Sequence, residues 1–132
     1  MTQIQQAPLV VREERILLSS GNISVQYCGD SKKPLLICLH GWLDNSASFL
    51  SLAQALSEQY SLLLIDLPGH GLSDPLPAGA DYYIWQNVEV LHELLQVLNL
   101  HKVNLIGHSM GGIIASLYAG TFAENVAQLI ML

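Results

Sequence analysis

Positive charge is scarce in this sequence. Its 132 residues hold five Lys plus Arg against eleven Asp plus Glu, a formal net charge of −6, and the five do not cluster. Nothing is therefore in place to neutralise a phosphate backbone, and no nucleic-acid partner is expected. Cysteine is equally sparse. Cys28 and Cys38 both lie in apolar, strand-like stretches and read as reduced core residues; a structural disulfide is the open alternative, with no spacing pattern behind it. No apolar run is long enough to span a bilayer. Met1 to Arg15 carries charges where a signal peptide needs an apolar run. These absences point to a soluble, cytoplasmic protein with no membrane span. No His, Cys and carboxylate groups stand at metal-ligand spacing. Neither Gly69-x-Gly71 nor Gly111-Gly112 completes the phosphate-binding pattern G-x-G-x-x-G. No metal and no cofactor are expected. Charged residues of all kinds make up 12% of the chain and apolar ones 51%. That charge fraction is well below the usual quarter or so, so a single domain of this length has ample material for a core.

What is present is an alternation of strand and helix patterns. Met1 to Pro8 is polar and expected to fray. Leu9 to Leu18 and Ile23 to Tyr27 are short strand candidates separated by the turn formers Ser19-Ser20-Gly21-Asn22, which predicts an opening hairpin. Leu35 to Leu39 is a continuous apolar run, the mark of a strand covered on both faces, and Tyr60 to Leu67 is another buried strand, Leu62-Leu63-Leu64-Ile65 being wholly apolar. Between them, behind polar Asp44 to Ser48, Phe49, Leu52, Ala53 and Leu56 recur at helical spacing. Asp81 is the expected cap of the longest helix, Tyr82 to Leu98, whose Ile84, Val88, Leu91, Leu95 and Leu98 form one face. His92 on this helix and His101 after it are expected to face solvent. Val103 to Ile106 is a further strand, Ile113 to Phe122 a helical segment, and Val126 to Leu132 one more buried strand. The whole predicts one α/β domain over 1–132, a mostly parallel sheet with helices on both faces. Sites in such sheets form at the carboxyl ends of strands. His40-Gly41-Trp42, the loop Asp66 to Ser73 and Ser109 all follow strand ends, so they should share one edge.

Gly107-His108-Ser109-Met110-Gly111 fits G-x-S-x-G, the nucleophile elbow, in the strand–turn–helix setting that this motif requires. The serine must sit on a sharp, strained turn, and side chains at the flanking glycines would collide with the neighbouring strand and helix. A glycine-rich turn with a helix-capping serine is the plainer alternative.

Three motifs in order, His40-Gly41-Trp42, Asp66-x-x-Gly69-x-Gly71-x-Ser73 and the elbow, make the sequence resemble the α/β-hydrolase family over nearly its whole length. Leu39 to Asn45 looks most like the serine-hydrolase-like branch. The resemblance implies that Ser109 is the nucleophile attacking a carbonyl carbon. It implies that the backbone N–H groups of Met110 and Trp42 are the oxyanion donors, the first aided by the helix N-terminus. Supporting roles would fall to His40, which buttresses the oxyanion loop, and to Asp66, which accepts backbone hydrogen bonds that shape its own loop. Gly41, Gly69, Gly71, Gly107 and Gly111 would complete the motifs. His108 would point away from the hydroxyl. His70, in the Asp66 loop, reads as a surface histidine, an approach to the pocket rim being the alternative. Tyr82, Tyr83 and Trp85 either line an acyl pocket or are ordinary core aromatics.

The pattern also breaks. In this fold the acid and the histidine follow the elbow, yet the residues after Ser109 contain one acid, Glu124, and no histidine. The expectation is the N-terminal half of a longer serine hydrolase acting on a small-molecule ester, thioester or amide, with later strands, cap and histidine loop absent. Ser at the nucleophile position argues against the Asp-dependent dehalogenases and epoxide hydrolases. Acyl transfer stays open. The competing expectation is a non-catalytic fragment, a binding or assembly module that could form a homodimer through an incomplete sheet edge.

Overall fold

The computed structural model describes residues 8–132, so the fraying expected of residues 1–7 lies outside the described residues. Strands β1 (Val11–Leu18) and β2 (Gly21–Cys28) form the expected hairpin, with Leu18 opposite Gly21. Strands β3 (Leu35–Leu39), β4 (Ser61–Ile65), β5 (Val103–Gly107) and β6 (Val126–Met131) complete a six-stranded sheet of order β1-β2-β4-β3-β5-β6. The pairs β1–β2 and β2–β4 are antiparallel; β4–β3, β3–β5 and β5–β6 are parallel.

Strand pleating divides the core. Ile37 and Leu39 of β3, with Leu63 and Ile65 of β4, face helices α2 (Ile84–Val97) and α3 (Met110–Thr121). Leu36 and Cys38, with Leu62 and Leu64, face the other way, toward Phe49 and Ala53 at helix α1 (Leu50–Leu56). Two opposite faces, each needing apolar cover, explain why β3 and β4 read as unbroken apolar runs. A 3₁₀ turn, Ser46–Phe49, leads into α1, and the Asn45 side chain caps it by accepting from the Ala47 N–H. Cys28 and Cys38 are buried free thiols on β2 and β3, with β4 between them. Burial pushes the Cys38 thiol up to about 12.

Two expectations about elements need correction. Helix α2 begins at Ile84, and the residue before it, Tyr83, is extended (ψ 152°) and offers no side-chain cap. Asp81 therefore stands too far upstream to cap it. Strand β6 is not buried. It has β5 on one side only, and Ile130 and Met131 are 47% and 56% exposed. Among the described residues, no helix is long and apolar enough to cross a membrane.

The connectivity positions the site. From β3 the chain moves to β4 on one side, and it then returns to β5 on the other. The loops after β3 and β5 therefore diverge from adjacent carboxyl ends, which leaves a crevice where ligands of such sheets bind.

Candidate active site

Ser109 stands at the junction of β5 and α3 with φ 54° and ψ −117°, a conformation that costs a non-glycine residue on the order of 1–3 kcal/mol. Its surroundings hold it there. The Ser109 N–H donates to the Leu132 carbonyl (3.3 Å), and its own carbonyl accepts from Gly112 (2.9 Å) and Ile113 (3.2 Å). The flanking glycines permit the fold-back. A Cβ at Gly107 would lie 2.5 Å from Gly112 Cα, and one at Gly111 would lie 2.6 Å from the His40 carbonyl oxygen. Helix α3 thus starts pressed against the ends of β5 and β3. The Ser109 side chain makes no cap hydrogen bond to the helix, unlike the helix-capping alternative, and the residue is exposed.

The loop after β3 lies beside the serine: a Cβ at Gly41 would sit 3.4 Å from Ser109 Cβ. The orientation of this loop is fixed at one peptide. The Gly41 carbonyl accepts from His40 Nδ1–H (2.7 Å) and from the Asp44 N–H (3.2 Å). A trans peptide is planar, with C=O and N–H on opposite sides. Holding the Gly41 oxygen to one side therefore aims the Trp42 N–H to the other. Among the described residues, the N–H groups of Trp42 and Met110 have no backbone acceptor.

The Asp66 to Ser73 loop closes the same edge. Asp66 Oδ1 accepts from the Ser46 N–H (2.7 Å) and Oδ2 from the Leu72 N–H (3.0 Å). Asp66 thus shapes its own loop and ties it to the start of the α1 segment as well. Gly71, at φ 51°, passes so close that a Cβ there would meet the Asp66 carboxylate. Ser73 Oγ donates to the Asp66 carbonyl (2.5 Å) and accepts from the Ser24 N–H (2.9 Å), anchoring the loop to β2. His40 Nε2 accepts from the Leu67 N–H (3.0 Å). With Nδ1 donating and Nε2 accepting, His40 must be the neutral Nδ1–H tautomer. It is fully buried, and burial lowers its pKa below the ordinary 6.5.

The sequence pattern of the alpha/beta hydrolase fold family matches residues 34–132. The chain belongs to the α/β-hydrolase fold family. It is 33% identical over 126 residues to the serine hydrolase-like protein of Homo sapiens, covering 96% of this chain and 62% of that one. It is 40% identical over 110 residues to the pimeloyl-(acyl-carrier protein) methyl ester esterase of Aeromonas salmonicida, covering 83% and 40% respectively. A crystal structure of a hypothetical protein from Pseudomonas aeruginosa superposes with a TM-score of 0.86 at 33% identity, covering 91% of this chain and 42% of that one. The chain thus spans less than two thirds of each.

Several side chains of this α/β-hydrolase chain depart from their expected places. His70 is not a surface group. It is half-buried between the two loops, its Nδ1 bonded to the Pro68 carbonyl (2.9 Å) and its Nε2 to the Leu43 N–H (3.2 Å). His92 does not face solvent: its ring stacks on Phe122 at 3.8 Å, and Nδ1 meets the Tyr118 hydroxyl (3.2 Å) between α2 and α3. His101 is exposed. Tyr82, Tyr83 and Trp85 are not core aromatics, being 44%, 62% and 56% exposed. Tyr82 instead covers Gly69 and accepts from the Leu76 N–H (2.8 Å). His108 is exposed and lines a cleft of about 280 Å³ with Asp44, Ser48, Phe49, Leu52 and Leu132.

Proposed function

We propose that Ser109 is the nucleophile of a serine hydrolase that cleaves a small-molecule ester, thioester or amide through an acyl-serine intermediate. The observation that carries this reading is the strained φ 54° of Ser109 at the head of α3, with its hydroxyl free of any cap bond. Strain of this kind persists where the surrounding structure over-determines it, and it clusters at active sites. The Trp42 and Met110 N–H groups would hold the oxyanion of the tetrahedral intermediate. They are fixed before substrate arrives, so little reorganisation is needed, and losing one such donor costs on the order of 3 kcal/mol of barrier. The esterase and serine hydrolase names of the relatives support this chemistry.

A serine hydroxyl needs an adjacent base. His40 and His70 have both ring nitrogens engaged by the loops, and His92 is held between α2 and α3, so none of these three is free to serve as that base. By itself the chain is then a slow hydrolase at most. Incubation with a p-nitrophenyl ester tests this: weak turnover, lost on Ser109→Ala, is expected. Turnover unchanged in Ser109→Ala refutes the assignment, and a rate typical of complete esterases would reveal a base within the chain. The exposed apolar edge at β6 favours a second reading, an assembly module that pairs through that strand.

A further inference from the structure

From the contacts around Leu43 we propose that His70 is a positioning residue that sets the oxyanion loop through the Leu43 N–H, an inference that rests on the serine-hydrolase reading above. Leu43 is the third residue of the turn closed by the Asp44 N–H on the Gly41 carbonyl (3.2 Å), and its φ is 59°. Glycine or asparagine is the usual occupant where a turn needs positive φ at that place. Packing does not enforce the conformation, because Leu43 is 79% exposed. A polar contact does: the Leu43 N–H donates to His70 Nε2 at 3.2 Å. His70 is oriented in turn by Nδ1–H donating to the Pro68 carbonyl (2.9 Å), and its ring centroid lies 5.0 Å from that of His40 and 5.6 Å from that of Trp42. Division of labour between the two histidines follows. His40 fixes the Gly41–Trp42 peptide by its oxygen, and His70 fixes the next peptide, Trp42–Leu43, by its nitrogen. Rotation of that second peptide would carry Trp42, and with it the oxyanion donor, out of line. His70 acts in the neutral Nδ1–H form, since a proton on Nε2 would oppose the Leu43 N–H.

Two substitutions separate the bracing role from mere bulk. Glutamine can bring an acceptor to the place of Nε2; asparagine is too short and reaches only toward Pro68. In the 132-residue chain, His70→Asn is expected to speed hydrogen exchange of the Leu43 amide at least tenfold and to slow fluorophosphonate modification of Ser109 several-fold, while His70→Gln keeps both near wild type. Equal behaviour of the two variants, or unchanged Leu43 exchange in His70→Asn, overturns the proposal. Should His70→Asn not fold, the ¹⁵N shifts of the wild-type ring decide: a neutral Nδ1–H tautomer is required, and an Nε2–H tautomer overturns it. If the wild-type and Ser109→Ala chains take phosphonate equally, the hydrolase reading fails, and the exchange and tautomer measurements still judge the brace.

Discussion

Replacing Asp66 by alanine removes the acceptor for two backbone donors at once. The bond from the Ser46 N–H (2.7 Å) is buried, and that from the Leu72 N–H (3.0 Å) is part-buried. A buried donor left unsatisfied costs about 1–3 kcal/mol, and bonds to a charged acceptor fall in the upper half of that range. Water can reach Leu72, whose residue is 60% exposed, so its share lies at the low end. The sum is about 3–4 kcal/mol for Asp66→Ala. Asp66→Asn keeps an oxygen for Ser46 but turns an amide toward the Leu72 N–H, for a loss of about 1–2 kcal/mol. Urea unfolding followed by circular dichroism measures both. With a slope of about 1–3 kcal/mol per molar, typical of small proteins, the alanine variant should unfold at a midpoint lower by roughly 1–4 M, with the asparagine variant between it and wild type. An alanine variant within about 0.5 kcal/mol of wild type would refute the claim that this carboxylate ties the two loops together.

Ser109→Gly should relieve the positive φ and stabilise the fold by about 1 kcal/mol in the same assay while ending any acylation; a clear destabilisation would show that Ser109 is not strained. His40 is buried neutral with its pKa lowered below 6.5, so the unfolded state takes up its proton first. The stability held by keeping it neutral is present above the unfolded pKa and is lost as pH falls below about 6.5; unfolding midpoints that stay level from neutral pH down to about pH 5 would contradict this. Strand β6 exposes Ile130 and Met131 and carries neither Lys nor Pro to blunt its free edge. Sedimentation should show concentration-dependent association that Ile130→Lys weakens, whereas a monomer at every concentration that binds no apolar dye would mean the edge is protected.

The elements with strong periodicity were legible in the residues. The buried runs at Leu35–Leu39 and Ser61–Ile65, the hairpin and the five-residue α2 face all stand where their patterns place them. The sharp strand-to-helix turn at Ser109 was legible because glycine at 107 and 111 is a requirement of close backbone approach. Contacts between distant segments were not. Histidine has the same letter whether solvated or bonded at both nitrogens, so His70 and His92 read as surface groups although one braces two loops and the other stacks between two helices. The capping expectation at Asp81 failed because local propensity does not show that Tyr83 is extended and the helix starts only after it. Burial of β6 was misjudged from its apolar composition, since burial depends on which neighbours cover a strand.

Ser109 is the proposed reactive group. Prolonged incubation of the 132-residue chain with a fluorophosphonate, followed by peptide mass spectrometry, tests this most directly. A single adduct on Ser109, absent from Ser109→Ala, is expected. Equal modification of the Ser109→Ala protein, or an adduct mapped to another serine, would contradict it.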